Sequence, residues 1–169
     1  MNNNDILRSI RYTFNLNDTK MIAVFESAGL TTTRAEISNW LKKDDAEEFV
    51  QIVDVELATF LNGFINKKRG KKDGPQPEAE NELNNNIVFR KLKIALNLKA
   101  DDVLDLLDLA DFRLSSHELS AFFRKEGHKH YRKCKDQILR NFLYGLKLKH
   151  RPNETNDAEN AENTGGAED

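Results

Sequence analysis

Apolar residues recur along this chain at helical spacing. Ile6, Ile10 and Phe14 stand four apart, as do Val88, Leu92 and Leu96, which is the rhythm of one helix face. Ile22 and Phe25, then Ile37, Trp40 and Leu41, then Leu57, Phe60, Leu61 and Phe64 continue the period. Leu104 and Leu107, then Leu119, Phe122 and Phe123, then Leu139, Phe142, Leu143 and Leu146 repeat it. No stretch alternates with period two, and β-branched residues are scattered, so the expected class is all-α. Start signals mark each helix. Asn4 and Asn86 are read as caps of a first helix. A second helix is expected over about 19–28 and 101–110. Thr33-Arg34-Ala35-Glu36 and Ser115-Ser116-His117-Glu118 are capping boxes opening a third. After an irregular stretch holding Phe49 or Tyr131, Asp54 and Asp136 are read as caps of a fourth.

The two sets of elements are copies. A shift of 82 residues lays Asn4–Phe64 on Asn86–Leu146 without a gap. Of roughly 61 aligned pairs about 13 are identical, and the apolar faces and caps keep register. Asn4, Arg8, Asn15, Glu36, Asp54 and Gly63 fall on Asn86, Arg90, Asn97, Glu118, Asp136 and Gly145. The chain therefore reads as two tandem copies of a roughly four-helix unit, packed with pseudo-twofold symmetry. The boundaries are a first helical repeat over 1–65, a flexible linker over 66–83, a second repeat over 84–151 and a disordered acidic tail over 152–169. The linker carries Lys67, Lys68, Arg69, Lys71 and Lys72 and then Gly74-Pro75-Gln76-Pro77, a composition that ends a helix. A unit of this size is marginal alone, so the copies are expected to share a core. Gly63 and Gly145 lie within an apolar helical face, where glycine costs about 0.5–1 kcal/mol relative to alanine. Retaining it twice points to close approach of another backbone, for which the other copy is the simplest partner.

Charge separates the regions further. The 169 residues hold 26 Lys+Arg and 28 Asp+Glu, a net −2. The tail has six acids and no base, too few apolar side chains to offset the entropy of ordering. Up to Glu82 the chain has 11 bases and 14 acids, whereas residues 83–151 have 15 and 8. The excess sits in Arg124–Arg151, with ten bases against Glu126 and Asp136. One cysteine excludes a disulfide framework and fits a reducing compartment. With neither a membrane-length apolar run nor a signal peptide in view, a cytoplasmic location is expected and no membrane partner.

Several strings resemble the YehS-like family, small bacterial cytoplasmic proteins with a duplicated helical domain of unknown function. In the first copy they are Asn4-Asp5-Ile6-Leu7-Arg8-Ser9, Trp40-Leu41-Lys42-Lys43 and Phe60-Leu61-Asn62-Gly63. In the second they are Asn84-Asn85-Asn86-Ile87, Leu98 through Asp102, and His128-Lys129 leading to Asp136-Gln137. The resemblance spans about residues 1–150. It implies the duplicated architecture and a cytoplasmic location, and it implies no activity.

Candidate chemistry is sparse. The chain has no glycine-rich phosphate loop, nucleophile elbow or His-Glu-x-x-His string, and Glu36 and Glu118 are accounted for by capping. No catalytic residue and no cofactor is assigned. His128, His130 and Cys134 are the one ligand-like cluster. On a helix His130 and Cys134 would share a face, with His117 as a distant third ligand, but surrounding bases would repel a cation and no metal site is assigned. Cys134, whose counterpart is Ile52, is read as a semi-buried small apolar residue; the alternative is a reactive thiol whose pKa the nearby bases lower. Helix two, the Gly29 turn and helix three are superficially like a helix-turn-helix, yet the turn is long and Glu36 stands where a basic or neutral residue belongs. The basic run reads first as a solvated helix surface; if it forms a polyanion-binding face, the residues expected to carry it are Arg124, Lys125, Lys129, Arg132, Lys133, Lys135 and Arg140. The leading expectation is a non-enzymatic interaction module acting through protein partners or self-association. The alternative is RNA or DNA binding by the basic second repeat, with aromatics stacking bases.

Overall fold

At Asn2, Asn17, Thr33, Asn84 and Ser115 a helix starts where a side chain receives a free N–H of its first turn, and all the helix starts repeat at a separation of 82 residues. The computed structural model describes residues 1–152. It has eight helices: α1 (Asn3–Thr13), α2 (Asp18–Ser27), α3 (Arg34–Leu41), α4 (Asp54–Arg69), α5 (Asn85–Ala95), α6 (Ala100–Leu109), α7 (Ser116–Phe122) and α8 (Asp136–His150). Among the described residues there is no strand. The acidic segment expected from Pro152 to Asp169 lies, apart from Pro152, outside the described residues.

The capping boxes of α3 and α7 form as the sequence predicts: Glu36 N–H donates to Thr33 Oγ1 at 3.2 Å and Glu118 N–H to Ser115 Oγ at 3.0 Å. Two other cap assignments shift. The caps of α1 and α5 are Asn2 and Asn84, which accept from Asp5 N–H at 2.8 Å and Ile87 N–H at 2.9 Å. Asn4 and Asn86 lie inside the first turn, buried and committed elsewhere. Asp54 and Asp136 are the first helical residues of α4 and α8, after Val53 and Lys135, so their carboxylates favour the helix start by charge and bond across the fold instead. At the far ends of α1 and α5, Asn15 and Asn97 both take φ 53°, the left-handed conformation that asparagine tolerates. This explains why that residue recurs.

Packing follows the copies. α2 lies on α4 and α6 on α8; α3 covers α2 and α7 covers α6. Between copies α4 packs on α5 and α8 on α1, contacts that exchange under the pseudo-twofold. One apolar core runs through both copies, from Leu7, Phe25 and Phe60 to Phe89, Leu107 and Phe142. Gly63 and Gly145 do meet another backbone, but within their own copy. A Cβ on Gly63 would collide with the carbonyl of Val24 in α2, and one on Gly145 with that of Leu106 in α6. The closest approach in each unit is thus α2 to α4 and α6 to α8, not copy to copy.

α4 continues to Arg69, four residues past the boundary expected at 65. Residues 70–84 then return without regular structure. Near their end Lys91 Nζ pairs with Glu80 at 2.9 Å and donates to Asn62 Oδ1 at 2.6 Å, and Leu83 N–H donates to Asp54 Oδ2 at 2.9 Å. The Met1 ammonium makes the corresponding bond to Asp136 Oδ2 at 3.3 Å. Met1 and Leu83 are equivalent under the 82-residue shift, so each copy's start is tied to the other copy's last helix.

Candidate anion-binding cleft of the second copy

The segments after α3 and α7 have no helix to satisfy their backbone. A buried asparagine does it for them. Asn86 Nδ2 donates to Phe122 O at 3.0 Å and Arg132 O at 2.8 Å, and its Oδ1 accepts from Cys134 N–H at 2.9 Å. Asn4 does the same with Trp40 O, Val50 O and Ile52 N–H at 2.8, 2.9 and 3.2 Å. Asn85 Nδ2 adds bonds to Cys134 O at 3.0 Å and Asp136 Oδ1 at 2.7 Å, and Asn3 matches them at Ile52 and Asp54. Two frames of one shape result, with different side chains facing outward.

In the second copy the frame borders a cleft of about 730 Å³ between the α6–α7 connection, α7 and the start of α8. Six bases line it: Arg113, Arg124, Lys129, Arg132, Lys133 and Lys135. All are exposed, and among the described residues none is in an ion pair. Half-buried Phe112, Leu114, Tyr131 and Ile138 supply apolar surface. The single acid, Glu118, is held below the usual carboxylate range by its hydrogen bonds from Ser115, with Arg132 and His117 adding to the effect. It is occupied as a capping residue. The counterparts of the six bases are Thr31, Lys42, Glu47, Val50, Gln51 and Val53. The first copy therefore presents one base and one acid where the second presents six bases, and Lys42 is itself paired with Glu48 at 3.6 Å.

Of the seven residues expected to bind a polyanion, Arg124, Lys129, Arg132, Lys133 and Lys135 share this cleft, while Lys125 and Arg140 lie outside it. Arg113 is the member the sequence did not single out. It precedes α7, outside the basic run, and its one signal is the change from Thr31. Tyr131, whose counterpart Phe49 suggests a core position, is only half-buried and forms part of the wall.

The helical geometry expected for His130 and Cys134 is not present, because residues 123–135 follow an irregular path. His130 N–H donates to His128 Nδ1 at 3.0 Å, and the two exposed rings stand 5.6 Å apart. Cys134 points inward and is 2% exposed. It packs as a small apolar residue in the place of Ile52, and burial pushes its thiol up to about 12, opposite to the lowering of the alternative, reactive reading. Among the described residues no three His, Cys, Asp or Glu side chains gather as a metal site, and no helix is long and apolar enough to cross a membrane.

Residues 3–70 and 85–151 each match the family described as "Protein of unknown function (DUF1456)". The chain belongs to this family. The two DUF1456 matches begin at the first residues of α1 and α5 and end just past α4 and α8, one match per copy. The chain is also 44% identical over 147 residues to the Uncharacterized protein YehS of Escherichia coli (strain K12), covering 86% of this chain and 94% of that relative. No solved structure shows a significant match.

Proposed function

We propose that this DUF1456 chain is a binding module whose second-copy cleft receives an acidic surface of a protein partner, and that it works in the bacterial cytoplasm. The observation that carries this reading is the gathering of six bases in one cleft, none in an ion pair among the described residues, at positions where the first copy has one base, one acid and four neutral residues. Buried positions of the two frames exchange one apolar side chain for another, as Ile52 and Cys134 do, whereas these outward positions change charge, and a change of charge at the surface serves a ligand rather than folding. Like charges concentrated in a concave wall raise the local potential and speed encounter with an anion. The lone buried thiol and the Escherichia coli relative are consistent with the location.

Fluorescence anisotropy with a labelled Glu/Asp-rich peptide tests the reading. At roughly 50 mM salt the native chain should bind, and the combined Arg132→Gln, Lys133→Gln and Lys135→Gln variant should bind about tenfold or more weakly. Neutralising Lys42 and Lys43 should leave affinity unchanged. Equal affinity of the native chain and the triple variant would overturn the proposal.

One observation favours a second reading. Tyr131 stands half-buried on the cleft wall among phosphate-seeking bases, an arrangement that suits a stacked base. A single-stranded RNA probe that binds more tightly than the peptide, with a steep salt dependence and a loss confined to RNA on Tyr131→Ala, would establish nucleic acid as the ligand instead.

A further inference from the structure

We infer that the acidic partner is a second copy of this same chain, presenting the face of its first repeat that corresponds to the cleft. The inference rests on the cleft as the seat of an acidic protein surface.

The first-copy face is unusual in its own right. Val50, Val53 and Val55 are 47, 52 and 37% exposed, among the few large apolar residues left in solvent. Their counterparts Arg132, Lys135 and Gln137 line one cleft, which places the three valines around the equivalent spot of the first frame. Exposed apolar side chains grouped within a polar border mark contact surfaces more often than chance scatter does. The segment that carries Val50 and Val53 is acidic on balance, with Asp44, Asp45, Glu47 and Glu48 against Lys42 and Lys43 over residues 42–53. Asp45 and Glu47 are exposed, and among the described residues neither is in an ion pair. The two faces are thus complementary in both respects. Asp45 and Glu47 answer the bases of the cleft, while the valines answer Phe112, Leu114 and Ile138 and the aliphatic stems of its lysines and arginines. A valine-and-acid face meeting a basic face is a heterologous contact, running from the first repeat of one molecule to the second repeat of the next.

Sedimentation of the full chain over a range of concentrations tests this. The mass should rise with concentration at roughly 50 mM salt and return toward the monomer near 500 mM. The Asp45→Lys, Glu47→Lys variant and the Lys133→Glu, Lys135→Glu variant should each be monomeric alone, and mixing them should restore association. Val50→Ser with Val53→Ser changes no charge and should weaken self-association about tenfold, which separates a docked interface from general attraction between oppositely charged proteins. A native chain that is monomeric at low salt would overturn the inference, as would association indifferent to the valine substitutions. If the chain is monomeric yet still binds the acidic peptide through the cleft, the proposed function stands and only the identity of the partner falls.

Discussion

At Asn4 and Asn86 a buried side-chain amide completes the sparse backbone pairing of the segments after α3 and α7. Each is almost fully buried and satisfies two carbonyls and one N–H. Replacing it by alanine leaves those groups without partners, at about 1–3 kcal/mol apiece before water relieves the more accessible ones. Asn4→Ala and Asn86→Ala should therefore each lower unfolding free energy by about 3 kcal/mol, read from the urea midpoint at unchanged slope. The recurrence of these asparagines was legible in the sequence, but their role was not. Asn2, Asn3 and Asn4 form a run in which any member is a plausible cap. Which one caps and which two turn inward depends on groups 36 to 51 residues away.

Between helices, the narrowest contact falls at glycine. Gly63 lets α4 rest against the carbonyl of Val24 in α2, and Gly145 does the same for α8 against Leu106 in α6. Since the obstructing atoms are backbone, a methyl group can be accommodated only by moving one helix. Gly63→Ala and Gly145→Ala should each destabilise by about 3 kcal/mol, the upper end of overpacking, despite the better helix propensity of alanine. Thermal melts of the two variants check this. An unchanged Tm would mean that the helices are not this close. Retained glycine on an apolar face announced a close neighbour, yet periodicity reports only which face is buried and not what buries it. Helix type, number and order followed from spacing and caps. The pairing of α2 with α4 did not, because it is set by the whole core.

Over the whole molecule the copies hold each other reciprocally, Asp54 on Leu83 and Asp136 on Met1, with a common core between. His150, at the end of α8, packs against Phe14 of the first copy, with ring centroids 4.8 Å apart and the planes tilted by 53°. Its pKa lies below the usual 6.5, because burial disfavours the charged ring and Lys149 and Lys68 repel it. The unfolded chain then binds the proton more readily than the folded one, so stability falls as pH drops below 6.5 and levels off beneath the folded pKa. Urea midpoints measured above and below that value should converge in His150→Gln. The basic surplus of the second half was visible from counting charges. The cleft was not, since Lys125 and Arg140 belong to the same run but face elsewhere, while Arg113 reaches the site from the far side of α7.

The asparagine frames carry a consequence for how such a protein changes over generations. Anchorage there comes from main-chain atoms and two neighbouring asparagine amides, so the outward residues answer to nothing inside. One half can drift toward lysine and arginine while its twin acquires valine and glutamate, and neither disturbs the scaffold. Transplanting residues 124–133 and Lys135 onto positions 42–51 and 53, with Ile52 kept in the core, would carry the surface chemistry along and leave its support intact.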